Sequence, residues 1–180
     1  MGQLESRVLA FSQMRQLSLL RAGECTAQLK FTAKQEREVL SRMARARLIA
    51  RVRPGLYLLP PRLPLGNAWT PGEALALNAL MADIKGRYQV CGPNAFNRYG
   101  FSEQVPNRVY AYNNRISGDR RIGAVALTLI KVADDRLGAT DEVESADGDL
   151  YAISSRARTL VDAVYDWARF ATLPQAYDWI

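Results

Sequence analysis

The chain has 180 residues, with 24 lysines and arginines against 18 aspartates and glutamates, a formal net charge of +6 and a pI of about 9.6. It contains no histidine, which excludes every Ser-His-Asp, Cys-His or histidine-ligated metal mechanism built from its own residues. Apolar residues make up 48% of the chain, no stretch resembles a membrane span, and the charged N-terminus does not resemble a signal peptide. We therefore expect a globular protein located in the cytoplasm.

Most of the positive charge lies in the first third of the chain. Residues 1–62 hold twelve basic and four acidic side chains, a net charge of +8, whereas residues 63–180 carry −2. Such asymmetry is typical of a nucleic-acid-binding module joined to a near-neutral body. The Pro-rich stretch LPPRLPLGN separates the two parts. We predict a DNA-binding domain over 1–60, a linker over 61–69 and a second domain over 70–180.

Three helices are predicted in the basic first third. Apolar spacing favours a first helix from Leu4 to about Leu20, with a break near residues 13–18, and a short second helix over 23–29. Thr32 and Gln35 have the spacing of a capping box, in which each side chain bonds the backbone amide of the other residue. This box predicts a third helix from about Ala33 to Arg45.

The third helix has one apolar side and one basic side. The apolar side, which we expect to face a core, consists of Val39, Leu40, Met43 and Ala46. The other side carries groups that suit phosphates and base edges in a major groove, although an ordinary solvated helix face is the alternative. The predicted DNA contacts on this helix are Lys34, Gln35, Arg37, Ser41, Arg42 and Arg45.

A basic hairpin is predicted directly after this helix. Residues 48–53 mix apolar and basic side chains, Pro54-Gly55 has the sequence of a type II turn, and residues 56–59 return as a second strand. Arg51 and Arg53 fall on one face, opposite Ile49 and Val52, and are further predicted DNA contacts. Three helices followed by a basic hairpin form the pattern of a winged helix-turn-helix, a fold that binds double-stranded DNA.

Helical and strand patterns in residues 70–180 predict a small α+β domain with a mainly antiparallel sheet. One long helix is expected over 74–85 and another after a cap at Ser154 or Ser155. The four or five strands are expected at 88–91, 108–112, 124–132, 142–144 and 150–153. The inner face of the final helix is predicted to be Leu160, Val161, Val164, Trp167 and Ala168.

No catalytic or metal-binding group emerges from the sequence. Asp83-Ile84-Lys85 matches a nuclease D-x-K element only superficially, because it lies inside a predicted helix. Cys25 and Cys91 form no CxxC motif, so we expect both to be buried and reduced. The prediction is therefore a protein that is not an enzyme and that uses no metal or cofactor.

Residues 112–121 are predicted to form an exposed polar loop between two strands. Its arginines, Arg115, Arg120 and Arg121, are candidates to bind phosphates, RNA or an acidic protein partner. A solvated loop without a partner is the simpler interpretation.

Three segments follow one another in an order and spacing that match a known family. They are VLSRMARARLIARVRPGLYLLPP (39–61), YQVCGPNAFNRYGFSEQVPNRVYAYNNR (88–115) and ISSRARTLVDAVYD (153–166). Together they resemble the AbiEi-type antitoxins of type IV, or abortive infection, toxin–antitoxin systems. The resemblance implies a winged helix-turn-helix that represses its own operon by binding promoter repeats, with the DNA-contacting helix at Lys34–Arg45 and the wing at Arg51 and Arg53.

The same resemblance implies that the second domain supplies antitoxin activity against a nucleotidyltransferase-like toxin encoded next door. A different interpretation is a winged-helix regulator whose α+β domain senses a small ligand or a partner. A nuclease would need a metal-bound carboxylate cluster that cannot be assembled from this sequence. Whether the protein binds DNA as a monomer or as a dimer stays open.

Overall fold

In the computed structural model, which describes residues 2–62, 68–173 and 178–179, the chain divides into two units. The first unit comprises Met1–Gly72 and Arg121–Val125, and the second comprises Glu73–Arg120 and Ala126–Ile180. Residues 63–67 of the predicted linker lie outside the described residues. Among the described helices, none has the length and apolar character needed to cross a membrane.

Three helices and three short strands come first in the first unit. They are α1 (Gln3–Met14), β1 (Leu19–Arg21), α2 (Glu24–Leu29), α3 (Ala33–Arg45), β2 (Ala50–Arg53) and β3 (Leu56–Leu58). The strands form one sheet in the order β1-β3-β2, and both pairings are antiparallel. The helices contribute Val8 and Leu9 of α1, Cys25 of α2, and Val39 and Met43 of α3 to one buried cluster. Burial of this apolar surface holds the helices together.

The first helix is shorter than the sequence predicts. It ends at Met14, and Leu20 lies instead in β1, fully buried and opposite Tyr57 of β3. Gln16 turns the chain out of the helix with a positive φ of 51°. The prediction that the helix continues to Leu20 is therefore wrong, because cross-strand pairing, which local periodicity does not register, places this segment in a sheet.

The remaining helices and strands include the six strands of a larger sheet. They are α4 (Glu73–Asp83), β4 (Tyr88–Val90), α5 (Pro93–Arg98), β5 (Val109–Asn113), β6 (Gly118–Ile122), β7 (Val125–Lys131), β8 (Thr140–Glu144), β9 (Leu150–Ser154), α6 (Arg156–Tyr165) and α7 (Trp167–Phe170). The strand order is β6-β7-β5-β4-β9-β8. β4 pairs antiparallel with β5 and β8 with β9, whereas the β5–β7 and β4–β9 pairs are parallel. Across the two sheets, antiparallel strand pairs thus outnumber parallel ones, and the chain has the predicted α+β class.

The polar segment predicted as a loop contains a strand. Arg120 and Arg121 lie in β6, at one edge of the sheet, and only Arg115 lies in the preceding loop. Asp119 of β6 is held by hydrogen bonds from Thr128, at 2.9 Å, and Arg108, at 3.1 Å. An edge strand needs only backbone pairing on one side, so its sequence need not show apolar alternation.

The final helix turns its polar side inward. Thr159, Asp162 and Ala163 are buried, whereas Val161 is 60% exposed and Tyr165 is 68% exposed. The predicted inner face is therefore wrong; of its members, Val161, Val164, Trp167 and Ala168 are exposed and Leu160 is partly buried. Ser155 is the cap, because its hydroxyl accepts a hydrogen bond from the Arg158 amide.

Candidate nucleic-acid interface

A capping box sets the start of α3. The Thr32 amide donates to Gln35 Oε1 at 2.9 Å, and the Gln35 amide donates to Thr32 Oγ1 at 3.2 Å. The helix runs from Ala33 to Arg45 as predicted. Because the box satisfies two amides that lack partners inside the helix, it favours this starting residue and hence fixes which side chains share a face. Gln35 contributes its side-chain oxygen to the cap and so acts on the helix itself.

The buried side of α3 carries an acid that sequence analysis did not single out. Glu36 is 4% exposed, and its carboxylate accepts hydrogen bonds from the Gly23 amide at 3.0 and 2.9 Å and from the Cys25 amide at 2.9 Å. The Thr26 hydroxyl donates to it at 2.9 Å. Glu36 thereby caps α2 from the side of α3 and fixes the two helices relative to each other. Its position three residues before Val39 is the sequence signal that could have placed it on the apolar side of the helix.

The exposed side of α3 and the β2–β3 hairpin enclose a cleft of about 840 Å³. The turn residues Pro54 and Gly55 and the ring of Tyr57 form part of its wall. The predicted DNA contacts that line this cleft are Lys34, Arg37, Ser41, Arg42, Arg45 and Arg51. Gln35 and Arg53 do not line it. Six of the eight predicted contacts are therefore brought together on one concave surface.

The charge of this cleft is strongly positive. Lys34, Arg37, Arg45 and Arg51 are all exposed, and none of them forms an ion pair with another described residue. The acid Glu38 also lines the cleft, while the carboxylate of Glu36 is already occupied by amides and a hydroxyl of α2. A surface with this surplus of cations attracts polyanions.

Arg42 is held in a defined position by the first helix. Its Nε and Nη2 atoms donate to Glu5 Oε1 at 3.0 and 2.9 Å, and the Glu5 side chain is 11% exposed while that of Arg42 is 51% exposed. Backbone hydrogen bonding and the Arg42 guanidinium lower the pKa of Glu5 against the opposing effect of burial. Two of the five guanidinium N–H groups are thus engaged, and Nη1 remains available to the cleft.

The hairpin presents its two arginines on the solvent side. Arg51 and Arg53 are exposed while Ala50 and Val52, which alternate with them along β2, are buried, so Ala50 occupies the strand position that the sequence assigned to Ile49. Gly55 has a φ of 80°, which fits the predicted type II turn. Arg53 Nη1 donates to the Pro54 carbonyl at 3.1 Å, which holds this side chain at the turn, outside the cleft.

Two of the three remaining predicted contacts do not line this cleft and bond to backbone. Arg115 Nε donates to the Lys85 carbonyl at 3.0 Å, and Arg120 Nη1 donates to the Asp119 carbonyl at 2.9 Å. Arg121 belongs to the first unit and lines a different crevice. The three arginines therefore have different local surroundings, and their role in binding a partner stays a prediction.

Neither the two thiols nor the buried acid Asp162 is among the residues that line the cleft. Both cysteines are free and buried, as predicted; burial, with the Glu36 and Glu24 carboxylates, raises the pKa of Cys25 to about 12, and burial raises the pKa of Cys91 well above its usual value. Burial also raises the pKa of Asp162, against the opposing effect of Arg158. In the part of the chain that the structure describes, no three Cys, Asp or Glu side chains are grouped to hold a metal ion.

No protein-family model matches the chain, and no curated protein sequence matches it significantly. Among solved structures, the chain is similar to the crystal structure of the RV2827C protein from Mycobacterium tuberculosis, with 13% sequence identity and a TM-score of 0.44. The match covers 74% of this chain and 47% of that one, so the chain spans about half the length of that protein. At this level of similarity, function has to be argued from the chain's own residues.

Proposed function

We propose that the protein is a DNA-binding transcriptional regulator whose first unit is a winged helix-turn-helix. The observation that carries the proposal is the cleft between α3 and the β2–β3 hairpin, which collects five cationic side chains on one concave surface. The order of helices, strands and hairpin agrees with this fold, in which the third helix is the recognition helix and the hairpin is the wing.

The proposed contacts divide by chemistry into base readers and phosphate binders. Arg37 and Arg42 project from the middle of α3, where a helix lying in the major groove meets base edges, and a guanidinium can bond guanine O6 and N7 together. Arg51 and Arg53 on the wing, with Lys34 at the start of α3, suit backbone phosphates. Ser41 offers a short hydroxyl between the two arginines.

Binding to DNA from the promoter of the protein's own gene tests this proposal. The assay is fluorescence anisotropy of the full chain with the promoter duplex and with a shuffled duplex of equal composition, at several salt concentrations. Arg37→Ala and Arg42→Ala are expected to weaken promoter binding by about 1–3 kcal/mol and to reduce discrimination. Arg53→Ala is expected to weaken binding to both duplexes alike.

The exposed Arg98 of α5, in the second unit, provides the charge-matched control. Arg98→Ala removes the same charge and is expected to leave promoter discrimination unchanged. Absence of salt-dependent, sequence-dependent binding by the unaltered chain would overturn the proposed function.

We further propose that this regulator is the antitoxin of a type IV toxin–antitoxin operon and acts in the cytoplasm without catalysing a reaction. The support is the resemblance of segments 39–61, 88–115 and 153–166 to AbiEi-type antitoxins. We expect a nucleotidyltransferase-like reading frame beside the gene. Its product should inhibit growth when expressed alone, and co-expression of this chain should restore growth. If that product is harmless or is not neutralised, the alternative of a winged-helix regulator that senses a ligand or partner replaces the antitoxin assignment.

A further inference from the structure

A second, smaller crevice of the first unit gathers three arginines. It encloses about 190 Å³ and is lined by Arg45 in the last turn of α3, Arg47 just after that helix, and Arg121 from the segment Arg121–Val125. Trp69 and Thr70 also line it. Arg45 is shared with the larger cleft, so the two concave surfaces adjoin at the end of α3.

Among the described residues, the three guanidiniums have no acidic partner. All three side chains belong to exposed residues, and within the described ranges none of them forms an ion pair or a side-chain hydrogen bond. Like charges that line one crevice repel one another, and an anion placed between them offsets that repulsion. Guanidiniums pair with phosphate oxygens through two parallel hydrogen bonds, which makes phosphate the best-matched anion.

The backbone supports the placement of Arg47. The Arg47 amide donates to the Ala44 carbonyl and the Leu48 amide to the Met43 carbonyl, which is the Schellman arrangement at the end of α3. Arg47 occupies its left-handed position with a φ of 57°, where glycine is the usual residue. The chain therefore accepts backbone strain at a position that carries a crevice-lining guanidinium.

The helix end alone does not account for this cluster. Cations are favoured at helix C-termini, which explains Arg45 and Arg47 without any ligand. Arg121 lies in β6 instead, and its neighbour Arg120 bonds to backbone and is absent from the crevice lining. The volume of about 190 Å³ is below the roughly 300–1,000 Å³ of pockets for drug-sized ligands and suits a single tetrahedral anion.

We propose that Arg45, Arg47 and Arg121 bind one backbone phosphate of the DNA duplex whose bases face the α3 cleft. The inference rests on the proposed DNA-binding function and adds to it a phosphate site at the C-terminal end of α3. Arg121, which sequence analysis grouped with Arg115 and Arg120, is thereby assigned to DNA rather than to another partner.

The test compares two adjacent arginines of β6 in the full chain. Arg121→Ala is expected to weaken binding about three- to tenfold for the promoter and the shuffled duplex alike. It should also reduce the slope of log K against log salt by about 0.9, the value for one lost phosphate contact. Arg120→Ala removes the same charge at the adjacent position and should change the DNA affinity and the salt slope by less. Circular dichroism and thermal unfolding check that both variants remain folded.

The outcomes separate the two proposals. If the unaltered chain does not bind DNA, the proposed function fails; if it binds and Arg121→Ala behaves like Arg120→Ala, the phosphate site alone is wrong. Arg121→Lys keeps the charge but lacks the paired N–H donors of the guanidinium. It should therefore retain the slope of log K against log salt and lose part of the affinity for DNA. Inorganic phosphate, titrated at constant ionic strength, should compete only weakly. Saturable phosphate binding that needs Arg121 while DNA affinity does not would reassign the crevice to a free anion and overturn the proposal.

Discussion

Replacing Glu36 by alanine tests how the first unit holds its helices. The substitution removes a carboxylate that accepts hydrogen bonds from the Gly23 and Cys25 amides and from the Thr26 hydroxyl. These donors lie at the start of α2, where the first amides of a helix have no partner within the helix itself. The substitution therefore removes the hydrogen bonds between α2 and α3 and leaves the apolar contacts of α3 in place.

The expected cost follows from the exposure of each donor. Cys25 is completely buried, so its amide loses its partner without gaining water, at a cost of about 1–3 kcal/mol. Gly23 is exposed and Thr26 partly so, and each therefore loses only the net value of a hydrogen bond, about 0.5–1.5 kcal/mol. The substitution also removes the Glu36 charge, whose desolvation destabilises the folded chain, and this offsets part of the loss. We expect Glu36→Ala to lower the free energy of unfolding by about 2–4 kcal/mol.

Urea unfolding of the full chain, followed by far-UV circular dichroism, measures this loss. Glu38→Ala is the matched control, because Glu38 is an exposed acid two residues further along the same helix, and it should stay within about 0.5 kcal/mol of the unaltered chain. Glu36→Gln keeps one acceptor and should fall between the two. Equal stability of Glu36→Ala and Glu38→Ala would refute the reasoning, since it would mean that the four short contacts contribute nothing net.

Three further predictions concern single contacts. Glu5→Gln frees Arg42, so we expect tighter binding to shuffled DNA at low salt but about a five- to tenfold smaller preference for the promoter; an unchanged preference in competition assays would contradict this. The raised pKa of Asp162 means that the folded chain binds this proton more tightly than the unfolded chain. Lowering the pH from 7 towards the usual carboxyl range should therefore stabilise the unaltered chain relative to Asp162→Asn, and a pH-independent difference in unfolding free energy would argue against it. Gly55→Ala forces a side chain onto a φ of 80° and should cost about 1 kcal/mol in urea unfolding; no loss would contradict the turn geometry.

The elements that sequence analysis predicted best are those specified by neighbouring residues. The bounds of α3 follow from a cap in which Thr32 and Gln35 bond each other, and both partners lie within four positions. The turn at Pro54-Gly55 likewise depends on its own two residues. Because these signals are local, the cationic face of α3 and the position of the hairpin could be predicted without knowing the rest of the fold.

The elements that sequence analysis missed depend on partners far along the chain. β1 exists because Leu19–Arg21 pairs with Leu56–Leu58, more than thirty residues later, and an apolar helical pattern covers the same residues. β6 has no apolar alternation and is an edge strand beside β7. The crevice could not be predicted from the sequence for the same reason, because Arg47 and Arg121 are far apart along the chain and line one crevice only in the folded protein.

Two buried acids show why a rule that places apolar side chains inside succeeds for α3 and fails for α6. Glu36 sits on the apolar side of α3, where amides and a hydroxyl satisfy both carboxylate oxygens, so the acid joins the core at little cost. Asp162 is buried with one oxygen on Arg158, at 2.9 Å, while Oδ2 has no partner among the described atoms. Hydrophobic periodicity classifies each side chain by its polarity alone and takes no account of such pairing. The polar side of α6 therefore faces inward at an energetic cost, which is expressed in the raised pKa of Asp162.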